Sequence, residues 1–297
     1  AFFLSSCGAI QDAAGDAMAV DVIPDDQQAR ANGYMQGSRM LGSSLALALG
    51  SWALNAYSFK VAMLLICVLV IILTFVPLLL REKEGEKILP FLPGKASPKS
   101  AEMQISNWAT ILKALYEVFR LKNSILVVLL VFITQGAYNF FEHLLPVFTV
   151  ENTGWTNADY SQIFATADII GGIGGILLGG YLIEKFGKKR MINIYLFIIM
   201  GLALTLVLIK SVWSQSLFMD GFIISYRLFN AFAKIGVFAI AMQCCSRNVS
   251  ASQFTLYMTF GATGSIAGAA LIAPIKGNFS WEISFLCFIA FLALAWI

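Results

Sequence analysis

Long apolar runs, interrupted by short charged or turn-rich stretches, set the pattern of this chain. They fall near 1–22, 28–54, 58–80, 124–148, 160–184, 191–210, 217–245, 251–274 and 281–297. Blocks of roughly 17–25 apolar residues match the length at which a helix crosses about 30 Å of hydrocarbon, at 1.5 Å per residue. Lipid offers no partners to backbone amides, so helices are the default for such segments. The pattern predicts an all-α, polytopic transmembrane helical bundle. One stretch has a different period. In NWATILKALYEVFRLK, residues 107–122, Trp108, Ile111, Leu112, Leu115, Val118 and Phe119 recur at helical spacing, while Lys113, Glu117 and Arg120 lie elsewhere around the turn. This predicts an amphipathic helix lying on the membrane interface.

Composition agrees with a membrane class. Hydrophobic residues make up 59% of the chain and charged residues 12%, with a mean hydropathy of +0.78. A soluble fold of this size could not hide so much apolar surface. The five cysteines lie in or beside apolar runs without metal-ligand spacing. They read as small buried thiols, with no disulfide framework and no metal site.

The net charge of +3 matters less than its distribution. Assigning alternate connections to opposite sides places Arg30, the eight cations from Arg81 to Lys122, the four from Lys185 to Arg190, and Arg247 on one side. Only Lys60, Lys210 and Lys276 fall opposite, so the positive-inside rule makes the first side cytoplasmic. Residues 81–123 form the one long hydrophilic connection, opening with REKEGEK and continuing through PGKASPKS. They read as a cytoplasmic linker between two membrane parts, 1–80 and 124–297. Three runs precede the linker and six follow it. That count is expected of a six-linker-six protein whose first three helices lie outside this chain.

Two motifs narrow the class. GYLIEKFGKKR, from Gly180 to Arg190, combines a helix-end glycine, an acid–base pair at Glu184 and Lys185, a turn glycine at Gly187, and the basic residues Lys188 and Lys189. Gly180 would let two helices approach, Glu184 would sit against a helix N-terminus or an arginine, and Gly187 would permit a tight turn. The stretch resembles the G-x-L-x-D-R-x-G-R-R signature of the major facilitator superfamily, with Glu for Asp and Lys for Arg. QDAAGD, from Gln11 to Asp16, followed by a small-residue-rich helix containing Arg39, resembles the Q-D-x-x-x-D region of the AmpG-type muropeptide permeases and the related acetyl-CoA transporters. ASQFTLYMTFGATGS, Ala251 to Ser265, is similar to the start of helix eleven in the same group. The resemblance implies a major facilitator fold of two six-helix halves in a bacterial inner membrane.

Ionisable residues at membrane depth are costly enough to mark function by default. If the first two helices turn near Asp25 and Asp26, Asp12 and Arg39 lie at equal depth, with Asp16 one turn from Asp12 on the same face. The pair either fixes helix packing or gates a proton site. Asp168 in the fifth run offers a second proton site or a packing contact. The resemblance places Arg227 and Lys234 on a cavity-lining helix, where they would grip an anionic group; Lys234 could equally snorkel or pair with an acid outside this chain. In QGAYNFFEHLLP, from Gln135 to Pro146, Tyr138, Asn139, Glu142 and His143 suggest a helix that breaks or tilts as an outer gate. Gln11, Tyr138, Asn139, Arg227 and Lys234 are the expected substrate-binding residues, and Asp12, Asp16, Arg39, Glu142 and Asp168 the expected proton-coupling or gating residues.

The resulting expectation is a monomeric secondary transporter, without cofactor or metal, whose partners are a small polar or anionic solute, protons and the lipid bilayer, with no nucleic acid. A muropeptide is the nearest analogy. A siderophore or acyl-coenzyme A conjugate, or a transporter-like receptor that binds without translocating, are the other readings. No nucleophile elbow, HExxH or phosphate loop points to an enzyme. The glycine-rich GGIGGILLGG lies mid-membrane with no strand before it.

Overall fold

The computed structural model describes residues 2–79, 108–246 and 249–296. Of the linker read into 81–123, residues 81–107 lie outside the described residues. The rest is helical, with no strand among the described residues. The elements are α1 (Phe2–Val22), α2 (Gln28–Ala56), α3 (Phe59–Leu79), α4 (Trp108–Phe119), α5 (Lys122–Thr153), α6 (Asn157–Gly174), α7 (Gly180–Phe186), α8 (Lys188–Leu208), α9 (Ser216–Gln243), α10 (Ser250–Ala270), α11 (Ile272–Asn278) and α12 (Trp281–Leu294). Each expected apolar run is thus a helix or a pair of helices in line. Among the described residues, six segments are both long and apolar enough to cross a membrane: Phe59–Val76, Lys122–Thr153, Asn157–Phe186, Lys188–Leu208, Ser216–Gln243 and Ser250–Asn278. The polar residues that make α1 and α2 interesting, including Asp12, Asp16, Arg30 and Arg39, dilute their apolar character.

Local chemistry sets several boundaries. Thr156 caps α6 in a reciprocal box: its Oγ1 accepts from Asp159 N–H, and its own N–H donates to the Asp159 carboxylate at 2.8 Å. That cap starts the helix three residues before the apolar run would suggest. Gly154, at φ 75°, ends α5 in the left-handed region that glycine enters without strain. The expected break in α5 is absent. The helix continues past Pro146 to Thr153, and the Thr149 hydroxyl donates to the carbonyls of Leu145 and Pro146 at 3.1 and 3.0 Å. Side-chain donors of this kind satisfy backbone carbonyls beside a proline and let a membrane helix run through it. Between α6 and α7 the chain makes one π-helical turn, Gly175–Gly179.

By packing, the chain divides into two units. One comprises residues 1–41 with 115–297, the other residues 42–114. In the second, Val68, Ile71, Leu73 and Phe75 of α3 are each more than half exposed, an apolar outside suited to lipid. In the first, α5 packs along α10, α9 on α6 and α8, α12 on α5 and α8, and α1 on α10. Its core is aromatic: Phe141 stacks on Phe288 with ring centroids 4.2 Å apart, and Phe148 meets Trp213, Trp281 and Phe285 edge-on.

Glycines bring backbones into contact. A Cβ on Gly33 would lie 2.8 Å from the Gly175 carbonyl, and one on Gly37 would lie 2.5 Å from the Gly172 carbonyl. At Gly180 it would run into the α2 backbone at Ala29 and Arg30. On the opposite face, Gly174 and Gly179 leave room for Leu228, Phe232 and Ile235 of α9. The GGIGGILLGG run is therefore a small-residue strip gripped by helices on two sides.

Candidate functional site

The α1–α2 turn places the first group of polar residues. Pro24, Asp25 and Gln28 form it: Gln27 N–H donates to Pro24 O at 2.9 Å, and Gln28 Nε2 donates to Asp25 at 3.2 Å. The two helices run back antiparallel, which sets Arg39 3.6 Å from Asp12, with both side chains more than half exposed. Asp16 shares their cavity, an open space of about 610 Å3. Asn32, Gln36, Gln135, Asn139, Thr255 and Ser265 complete its polar wall, and Asn139 Nδ2 donates to Ser265 at 2.8 Å. Of the residues expected to bind solute or protons, the structure gathers Asp12, Asp16, Arg39 and Asn139 here. Gln11 is on an exposed side of α1 and does not line the cavity.

Arg227 and Lys234 do not line this cavity in the conformation described. Arg227 is only 6% exposed, and acids from two other helices close on it. Its Nε donates to Asp168 at 2.6 Å and its Nη2 pairs with the same carboxylate, while Nη1 donates to Glu142 at 2.8 Å and to the Tyr138 hydroxyl. The Phe164 ring lies 4.2 Å beneath the guanidinium. Four of the five N–H donors of this buried arginine are thereby engaged, and its charge is met by two carboxylates in this conformation. Lys234 sits 3.6 Å over the Tyr138 ring and, among the described residues, pairs with no carboxylate. With all four side chains ionised, Arg227, Lys234, Asp168 and Glu142 balance to zero. The inner charges thus form one cluster, separate from the cavity but joined to it through Gln135, which lines both spaces.

The Gly180–Arg190 motif forms a third site. Glu184 accepts from the Arg30 side chain at 2.7 Å and from its backbone N–H at 2.9 Å. A single carboxylate thereby meets an arginine and a helix N-terminus at once. Lys188 Nζ donates to Asp25 O at 3.2 Å and to Gln243 at 3.1 Å, and Gly187 turns at φ 93°. Lys189 lines the open space of about 650 Å3 beside them. Lys185 lies over the rings of Tyr181 and Phe186. Glu184→Gln is expected to lower stability by about 1 kcal/mol, discounted for the half-exposed Arg30. Thermal melting of purified protein in detergent checks this, and an unchanged transition would remove the contact's importance.

The cavity residues that sequence reasoning missed carry a recoverable signal. Asn32 and Gln36 stand at spacings of three or four with the expected Arg39 on α2, Gln135 likewise with the expected Asn139 on α5, and Thr255 with Thr259 on α10, putting each set on one helix face. A family model for the major facilitator superfamily matches residues 1–269. The chain belongs to the Major Facilitator Superfamily. As a member, and with its apolar helices, it is an integral membrane protein. It is 22% identical over 287 residues to the anhydromuropeptide permease of Escherichia coli (strain K12) and equally to that of Escherichia coli O157:H7. Each match covers 94% of this chain and 53% of the permease, so the chain spans about half the length of the curated relatives it matches.

Proposed function

We propose that this superfamily member works in a proton-coupled secondary transporter that carries a polar or anionic solute, muropeptide-like in chemistry, across a bacterial inner membrane by alternating access. Family membership and the distant permease similarity point to transport rather than enzymatic catalysis. The observation that carries the proton-coupled reading is the pairing of an open polar cavity with a buried, balanced charge cluster. Asp12, Asp16 and Arg39 leave the cavity wall with one anion in excess, which opposes an anionic solute. A proton on Asp16 removes that excess and leaves the Asp12–Arg39 pair neutral. In the inner cluster Arg227, Lys234, Asp168 and Glu142 stay balanced, so the cavity wall carries the change in charge. Proton and anion therefore favour each other's binding, which is what symport requires. Residues 81–123 serve as the cytoplasmic linker, and Glu184 with Lys188 hold the α1–α2 turn.

Uptake of labelled anhydromuropeptide into vesicles containing the full-length protein tests this. Uptake should rise with an inward proton gradient, and Asp12→Asn and Lys234→Ala should each reduce it at least about tenfold, the effect of losing one charge-assisted contact, with insertion unchanged. Gradient-independent uptake would sink the coupling, and wild-type rates in both variants would sink the site.

A further inference from the structure

Behind the large cavity, α5, α8, α9 and α12 enclose a second space of about 20 Å3. Its polar lining is Thr134, Gln135, Tyr138, Tyr226, Asn230 and Lys234, the remainder being apolar. A water molecule needs roughly 10–15 Å3 of such volume and two to four polar partners, so one water fits and an organic solute does not.

Two residues of that lining carry polar groups with bonding capacity to spare. Tyr226, 1% exposed, has a hydroxyl with no hydrogen-bond partner among the described residues. Buried hydroxyls left without partners are rare because their lost hydration is not replaced. Lys234 presents one side of its ammonium to the Tyr138 ring and has no carboxylate partner among the described residues. It carries three donors and the ring face occupies only one direction. Thr134 donates its hydroxyl hydrogen to Leu130 O at 2.7 Å, which leaves its oxygen free to accept.

We propose that this pocket is a binding site for a single water that links Lys234 to Tyr226. The water accepts from Lys234 Nζ and exchanges a hydrogen bond with Tyr226 Oη, and the Thr134 oxygen is within the same lining to accept from it. It supplies the hydration that a lysine at membrane depth otherwise lacks. Because Gln135 and Phe238 line both this pocket and the large cavity, the water stands one residue behind the solute-facing wall. The water's place is the same whichever solute the protein carries.

Tyr226→Phe in the full-length protein, melted in detergent, gives opposite signs for the two possibilities. With the water bound, the variant loses a hydrogen bond and the melting temperature falls by roughly 2–4 °C. With a dry pocket, it removes an unsatisfied hydroxyl and melting is unchanged or higher, which overturns the site. Combined with Lys234→Met, the shifts should be less than additive, because both side chains hold one water; additive shifts count against it. A high-resolution map of the wild type decides independently of folding. A peak between Tyr226 Oη and Lys234 Nζ supports the site, and a lysine reaching Tyr226 directly, with no peak, overturns it.

Discussion

Replacing Arg227 with methionine is expected to cost about 3–5 kcal/mol of stability, the range seen when one partner of a buried ion pair is removed. The cost arises from what stays behind. Asp168 is 7% exposed and has its hydrogen bonds from Arg227; without the guanidinium it remains an unpaired anion in the interior of a membrane helix bundle. Glu142, more open at 23% side-chain exposure, can recover water and contributes less. Replacing Asp168 with leucine in the same background should restore much of the loss, since removing both members of a buried pair can be close to neutral. Melting of the purified full-length protein measures both steps. A wild-type transition in Arg227→Met would mean that the cluster is not held as its geometry shows.

Gly180→Ala is the second large effect. The added methyl would meet α2 backbone, 2.6 Å from Ala29 O and 2.8 Å from Arg30 N, with Arg30 Cα closer still. No side-chain rotation relieves a backbone contact, so α2 and α7 must separate, which overpacking costs put at about 1–3 kcal/mol. Separation would also pull Arg30 from Glu184, coupling the loss to the latch. Gly201 and Gly221 are the controls, because a Cβ at either meets nothing within 4 Å. Alanine there should be neutral or stabilising by up to about 1 kcal/mol, through helix propensity alone. If Gly180→Ala melts together with these controls, the helices are not in backbone contact.

The positions of the helices were legible because lipid imposes one rule on every spanning segment. Long apolar runs must become helices, and the runs near 191–210 and 217–245 appear as Lys188–Leu208 and Ser216–Gln243. Their ends depended on subtler chemistry, such as the Thr156 cap. The Glu184 contact was also readable: an acid beside a helix-end glycine in a basic loop has few partners other than an arginine or a helix N-terminus, and Arg30 offers both. The Asp12 and Arg39 neighbourhood followed from counting outward along two antiparallel helices from a recognisable turn.

What the sequence alone determined is the all-α membrane class, the helix order and the set of ionisable residues that had to be explained. Tertiary structure decided which of those charges meet. Asp168, Glu142 and Arg227 stand 59 and 85 residues apart in the chain, and no periodicity along one helix shows that three helices turn these faces together. Burial then separates charges that look alike in sequence, leaving Asp12 and Arg39 open to a cavity and Arg227 closed among acids. Side-chain chemistry is written locally, but its partners and its access to water are set by the packing of distant helices.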